Sequence, residues 1–128
     1  MWKDEILALH KEIFSSAIDL TIYEKNILFK EQDHTLIGYV LFKMVDDFVD
    51  LHYLVVAPSF RRLGHGFSLM EKFLMDTRSR GAKIVTLEVR SDNEAAINLY
   101  RNFGFEDTYT RRNYYKDGCD GRLMMLKL

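Results

Sequence analysis

The apolar run Tyr53-Leu54-Val55-Val56-Ala57 stops at the chain's only proline, Pro58, and gives way to Arg61-Arg62-Leu63-Gly64-His65-Gly66. No other stretch narrows the fold so much. A short run rich in β-branched residues and ended by proline reads as a buried strand, and Phe67, Met70, Phe73, Leu74 and Thr77 then recur at helical spacing over residues 66–80. Between them lies a glycine-rich turn. Amides at a helix start have no intrahelical acceptor, and the helix dipole adds partial positive charge, so such a turn suits an anion. An ordinary connection in which Gly64 and Gly66 only supply positive φ fits the same six residues equally well.

The flanking pattern sets this unit in a mixed sheet. Residues 4–19 carry Ile6, Leu7, Ile13, Phe14, Ala17 and Ile18 near helical spacing, with His10 beside the stripe as a packing histidine. Residues 21–30 and 35–45 read as two antiparallel strands joined at Asp33-His34, and Asp46-Asp47 leads into a central strand over residues 48–56. Gly81 suits the end of the helix that follows the glycine turn. A buried strand over residues 84–89 follows. Asp92 or Asn93 caps a third helix bearing Ala96, Leu99, Tyr100 and Phe103, which Gly104 ends. Residues 105–115 and 122–128 read as the last two strands, joined by a polar loop with Gly118 and Gly121 at its turns.

At 128 residues, 48% of them apolar, the chain suits a single domain with its own core, spanning 1–128. A net charge of −1 argues against affinity for nucleic acid built on phosphate neutralisation. Every arginine lies after Phe60, so an anionic ligand favours the second half. Cys119 is the only cysteine, which excludes an intrachain disulfide and points to a reducing, cytoplasmic setting. No apolar run approaches the length of a signal-peptide core or a membrane span.

Several chemistries are excluded by what surrounds the glycines. A nucleoside-triphosphate loop needs Lys then Ser or Thr after its last glycine, and a dinucleotide fingerprint needs a third glycine where Leu69 stands. His10, His34, His52 and His65 are scattered and have no cysteine partner, so no metal site is expected. Glu88, in Leu87-Glu88-Val89-Arg90, lies on a strand that otherwise reads as buried, where a carboxylate is either paired, with Arg90 or a neighbour, or functional. Tyr100 reads as a core aromatic whose hydroxyl needs a partner.

Taken together, four ordered blocks resemble the GNAT family of acetyl-coenzyme A dependent N-acetyltransferases. They are Val56-Ala57-Pro58 with Arg61 to Gly66, Leu87-Glu88-Val89-Arg90-Ser91-Asp92-Asn93, Ala96-Ile97-Asn98-Leu99-Tyr100 with Gly104-Phe105, and Arg111-Arg112-Asn113-Tyr114-Tyr115. The second and fourth look most like the RimI-type ribosomal-protein N-alpha-acetyltransferases. The resemblance covers roughly the last two-thirds of the chain.

The resemblance implies an α/β fold of the α+β kind, a mixed, mostly antiparallel sheet with splayed central strands and helices on both faces. It implies that Arg61, Arg62, Gly64, His65 and Gly66 hold the pyrophosphate of acetyl-coenzyme A through backbone amides. Leu54, Val55 and Val56 would line the pantetheine arm, an amide near Val55 would polarise the thioester carbonyl, and Asn93 would meet the arm from its other side. Glu88 becomes the general base, acting through water, and Tyr100 the general acid for the departing thiolate. Tyr114 and Tyr115 become acceptor-binding residues.

On that resemblance the chain is an enzyme acetylating the α-amine of a protein N-terminus, a ribosomal protein being one such acceptor, with no membrane or nucleic-acid partner. Only one short helix precedes the strand near Thr21, briefer than the family pattern, and this leaves acceptor choice and a dimeric state open. A small-amine acetyltransferase and a non-catalytic coenzyme A-binding module are the competing readings.

Overall fold

The computed structural model describes all residues, 1–128. Its elements, in chain order, are α1 (Trp2–Phe14), β1 (Ile27–Gln32), β2 (Thr35–Val45), β3 (Phe48–Val56), α2 (His65–Ser79), β4 (Ile84–Arg90), α3 (Glu94–Asn102), β5 (Glu106–Arg111) and β6 (Gly121–Lys127). Two short 3-10 turns, Leu20–Ile22 and Pro58–Phe60, complete the set. Hydrogen bonds order the strands β1-β2-β3-β4-β6-β5. The β3–β4 pair is parallel, whereas β1–β2, β4–β6 and β5–β6 are antiparallel, as the expected mixed sheet requires. The parallel ladder runs from Phe48–Ile84 to Leu51–Leu87 and stops there although both strands continue, which is the expected splay.

The chain forms two compact units, Met1–Lys43 with Tyr53–Met75 and Met44–His52 with Asp76–Leu128. In the first, β2 is buried on both faces, and its alternation sorts two helices. Tyr39 and Leu41 join Ile6 and Leu9 of α1 in one apolar cluster. Phe42, of opposite parity, packs edge-on against Phe73 of α2 at 5.1 Å, and Gly38 faces Leu69 of the same helix. A Cβ at Gly38 would collide with the Val55 carbonyl oxygen and stand 2.8 Å from Leu69 Cδ1, so this strand glycine exists for close approach. Asp33 and His34 both take positive φ, 51° and 62°, the backbone that a tight two-residue hairpin demands.

The first helix is shorter than its apolar spacing predicts. It ends at Phe14 because Ser15 turns left-handed, φ 55°, and its amide reaches back to the Lys11 carbonyl. Asp19 then accepts from the Thr21 amide and starts a 3-10 turn, so the strand expected from residue 21 begins only at Ile27. His10 is the packing histidine expected: it is buried, its Nδ1 lies 2.9 Å from the Tyr39 hydroxyl, and burial lowers its pKa.

In the second unit, Val85, Leu87 and Val89 of β4 are buried, as are Ile97 and Tyr100 of α3 and Met124 and Leu126 of β6. The alternate positions of β4, Thr86, Glu88 and Arg90, stay partly exposed and make a polar sheet face. Asn93 caps α3 by accepting from the Ala96 amide, and Gly104 closes it with φ 97°. The strand expected over residues 105–115 stops at Arg111, because Asn113 takes positive φ, 52°. Tyr114 and Tyr115 therefore lie in a loop, closed by bonds from the Tyr115 amide to the Cys119 carbonyl and from the Gly118 amide to the Tyr115 carbonyl. No helix is long and apolar enough to cross a membrane.

Candidate active site

The glycine turn belongs to the first unit. Pro58 opens a 3-10 turn, and the Arg61 side chain folds back so that Nε donates to the Val56 carbonyl at 3.0 Å. Arg61 is thereby a brace on the end of β3. Arg62 and Gly64 both adopt left-handed backbone, φ 65° and 84°, which swings the chain into α2. Gly66 does not: it lies in the first helical turn, so positive φ explains only one of the two glycines. The Arg61 amide is used by the Pro58 carbonyl and the Ser68 amide by the Gly64 carbonyl, while residues 62–66 find no backbone acceptor in the turn. Those amides are the donors an anion needs.

Two further features sharpen this turn. No atom lies within 4 Å of where a Gly64 side chain would start, so the backbone is open to close approach. His65 Nδ1 is buried without a hydrogen-bond partner beside the Phe60 ring. Lys30, which sequence reasoning did not single out, places its ammonium 2.8 Å from Ser68 Oγ in the first turn of α2 and adds a cation there. Leu54 and Val56 are half-buried and Val55 is buried on the adjoining strand.

Glu88 belongs to the second unit, on the polar face of β4. Of the two alternatives, pairing is what the geometry shows: its partner is Arg111 of β5, with Nε 2.9 Å from Oε2, and not Arg90. Oε2 is buried, and although Arg111 is this close its N–H is not aligned to make a hydrogen bond. The side chain as a whole retains 24% exposure. On the same face, the Thr86 hydroxyl donates to Asp50 Oδ1 at 3.1 Å, and Asp50 Oδ2 lies 3.0 Å from His52 Nε2.

Arg90 serves the loop. Its Nη2 lies 2.6 Å from Asp117 Oδ2 and its Nε 3.1 Å from Asp92 Oδ1, and these contacts hold both carboxyls below the usual carboxylate range. Tyr115 is near enough to Glu88 to feel its charge; burial first, then that charge, raises the phenol. Tyr100 is 9% exposed, and burial alone pushes its hydroxyl up to about 12. Its ring meets Phe105 at 5.8 Å. The Asn93 side chain is committed to capping α3.

Residues 3–105 match the acetyltransferase (GNAT) family. The chain belongs to that family. It is 34% identical over 96 residues to the ribosomal protein bS18-alanine N-acetyltransferase of Escherichia coli K12, which covers 73% of this chain and 65% of that one. It is 33% identical over 119 residues to an N-alpha-acetyltransferase of Sulfurisphaera tokodaii, covering 83% of this chain and 71% of that protein. The crystal structure of the Escherichia coli ribosomal-protein-S18-alanine N-acetyltransferase superposes with a TM-score of 0.84 at 29% identity, over 99% of this chain and 89% of that one. The matched segment thus spans about two-thirds of the Escherichia coli enzyme's sequence.

Within this GNAT chain, three groups escape a reading of the sequence alone. The Arg111 contact to Glu88 reaches across β6, and no local spacing announces it. The Arg90–Asp117 pair joins residues 27 apart across a loop. Lys30 is brought to α2 by a strand 38 residues before Ser68. Alternation was the one available signal, since Asp50, Thr86, Glu88 and Arg90 share strand parity with a face that is not fully buried.

Proposed function

We propose that this GNAT protein transfers acetyl from acetyl-coenzyme A to the α-amine of a protein N-terminus, through one acetyltransferase domain spanning residues 1–128. A ribosomal protein is the leading acceptor, because relatives 34% and 37% identical to this chain carry that activity in their names. The observation that carries the reading is Glu88: a partly exposed side chain, its carboxylate beside a cation, on a strand whose sequence block resembles the N-alpha-acetyltransferases.

The turn at residues 61–66 suits the cofactor's pyrophosphate. It combines amides without backbone acceptors, an open Gly64 and the start of a 15-residue helix. Backbone of Leu54, Val55 and Val56 is assigned to the pantetheine arm, with Arg61, Arg62, His65 and Gly66 framing the turn. When bound, acetyl-coenzyme A supplies an activated thioester.

Glu88 accepts the acceptor's proton through water. A protein α-amine titrates near ~7.7 to 8.0, against about 10.4 for lysine, so a carboxylate has less to do for the former at neutral pH. Tyr100 is the proton source on the leaving side. At a pKa of about 12 it keeps its proton at neutral pH. Full transfer to a thiolate of ordinary pKa ~8.5 is uphill, so its main contribution is a hydrogen bond that strengthens as charge gathers on sulfur. Tyr114, half-exposed, and Tyr115 offer rings and hydroxyls to the peptide.

The test is a mass-spectrometric transfer assay offering N-terminal peptides, peptides bearing only ε-amines, and small amines. Transfer to α-amines is expected. Acetylation of small amines alone would overturn the acceptor assignment in favour of small-amine chemistry, and no transfer with retained coenzyme A affinity would mark a binding module.

A further inference from the structure

Three residues stand in one row across the second unit. Arg90 of β4 is paired with Gly121 at the start of β6, and Gly121 is paired with Arg111 at the end of β5. A side chain at the middle position would fill the space between the two arginines. Gly121 has none, and the Tyr114 ring occupies that space: a Cβ built at Gly121 would stand 3.2 Å from Tyr114 Cδ2 and 3.4 Å from its Cγ and Cβ. The sequence assigned Gly121 to a turn, but φ does not require glycine there. The absent side chain instead lets the Tyr114 ring lie this close, and a Cβ would push the ring by a few tenths of an ångström.

The arginines flanking this berth each face a tyrosine. The Arg111 guanidinium lies 5.2 Å from the Tyr114 ring centre, and that of Arg90 lies 4.9 Å from Tyr115. The two rings meet edge to face at 5.1 Å. Each cation is also anchored by carboxylates, Arg111 by Glu88 and Arg90 by Asp92 and Asp117. Asp117 Oδ1 also accepts the Cys119 amide, and Asp120 Oδ1 accepts the Asn113 amide, so the loop is tied on both sides of the tyrosines. Exposed ion pairs and cation–π contacts stabilise a fold little when taken singly. Converging on two rings, they set direction.

We propose that Arg90, Gly121 and Arg111 form a preformed seat holding Tyr114 and Tyr115 in place for the incoming peptide, with Arg111 tying that seat to Glu88. This rests on the assignment of Tyr114 and Tyr115 to the acceptor. All three are positioning residues. Rings fixed before the peptide arrives lose less freedom when it binds, which favours acceptor affinity. Because one guanidinium touches both the Tyr114 ring and the Glu88 carboxylate, displacement of the ring by a badly fitting acceptor also moves the group that orients the base.

Three variants test the seat. Gly121→Ala crowds the berth and displaces the ring, Arg111→Lys keeps charge but loses the flat stacking surface, and Asp117→Asn loosens the loop's hold on Arg90. Each is measured for acceptor-peptide KM and kcat, for acetyl-coenzyme A affinity by calorimetry, and for amide hydrogen exchange over residues 113–119. The seat predicts an acceptor KM raised about tenfold in Gly121→Ala, corresponding to about 1.4 kcal/mol, with cofactor affinity unchanged and loop exchange faster. Arg111→Lys and Asp117→Asn should move KM the same way by less, and both are exposed enough to fold if Gly121→Ala does not. Native KM and exchange in folded variants would overturn the proposal, as would equal losses in KM and cofactor affinity. If the native protein acetylates no peptide, the acceptor assignment fails and the exchange measurement alone decides whether the row holds the rings.

Discussion

The turn at residues 61–66 and the loop at residues 112–120 are both short, polar and built around glycine, yet they are held by opposite means. In the turn the unused groups are backbone: left-handed Arg62 and Gly64 leave amides without acceptors, and the one arginine side chain that is tied down braces the strand. In the loop the backbone only closes the turn, and side chains give direction through Arg90, Arg111 and their carboxylate partners. Backbone donors suit a group common to every turnover, such as a pyrophosphate. A net of side chains is altered one substitution at a time, and suits the acceptor, in which relatives differ.

Substitutions that separate binding from chemistry test this division. Glu88→Gln should lower kcat by on the order of a hundredfold or more while leaving acetyl-coenzyme A affinity near native, and Tyr100→Phe should act in the same direction. Calorimetry beside steady-state kinetics reads both, and a parallel loss of cofactor affinity would erase the distinction between the regions.

Gly38→Ala should strike the scaffold under the turn and no ligand directly. Forcing a methyl against the Val55 carbonyl and Leu69 should cost about 1–3 kcal/mol of stability, read as a lowered unfolding temperature. At Gly64 the effect should be local. An alanine held at φ 84° carries about 1–2 kcal/mol of strain, which relaxation of the turn would convert into cofactor binding weakened up to about tenfold, with acceptor KM unchanged. A shifted acceptor KM would break the comparison at its root.

The smallest effect concerns pH. Burial lowers the His10 pKa beneath its ordinary 6.5, so the unfolded chain takes up a proton more readily than the folded one. The neutral ring's contribution is complete above about 6.5 and is lost as pH falls from there towards the folded pKa. Thermal unfolding followed from pH 7 down to 5 should show this decline, and His10→Gln should flatten part of it.

Much of the architecture was legible because period and punctuation agreed. The second and third strands run over the residues the pattern gave, Asn93 caps the helix before Tyr100, and Gly81 and Gly104 both take the positive φ that ends a helix. The misreadings share one cause, the local competition of side chain with backbone. Ser15 and Asp19 end one helix and start a small turn where apolar spacing still predicts helix, and Asn113 breaks a strand that its aromatic neighbours appeared to extend. The candidate site was legible as a list of residue types and opaque as a network. Glu88 stood out as a carboxylate on an apolar strand, but its partner depends on strand register, which has no signature in a single chain.

Gly38 gives the turn a dependence that its own residues do not disclose. The bare strand lets α2 settle close to the sheet, and the height at which that helix lies also sets the height of the amides at its start. Grafted alone onto another scaffold, Arg61 to Gly66 would keep their dihedral preferences and lose their elevation. The portable unit is the motif together with a notch in a strand laid down before it.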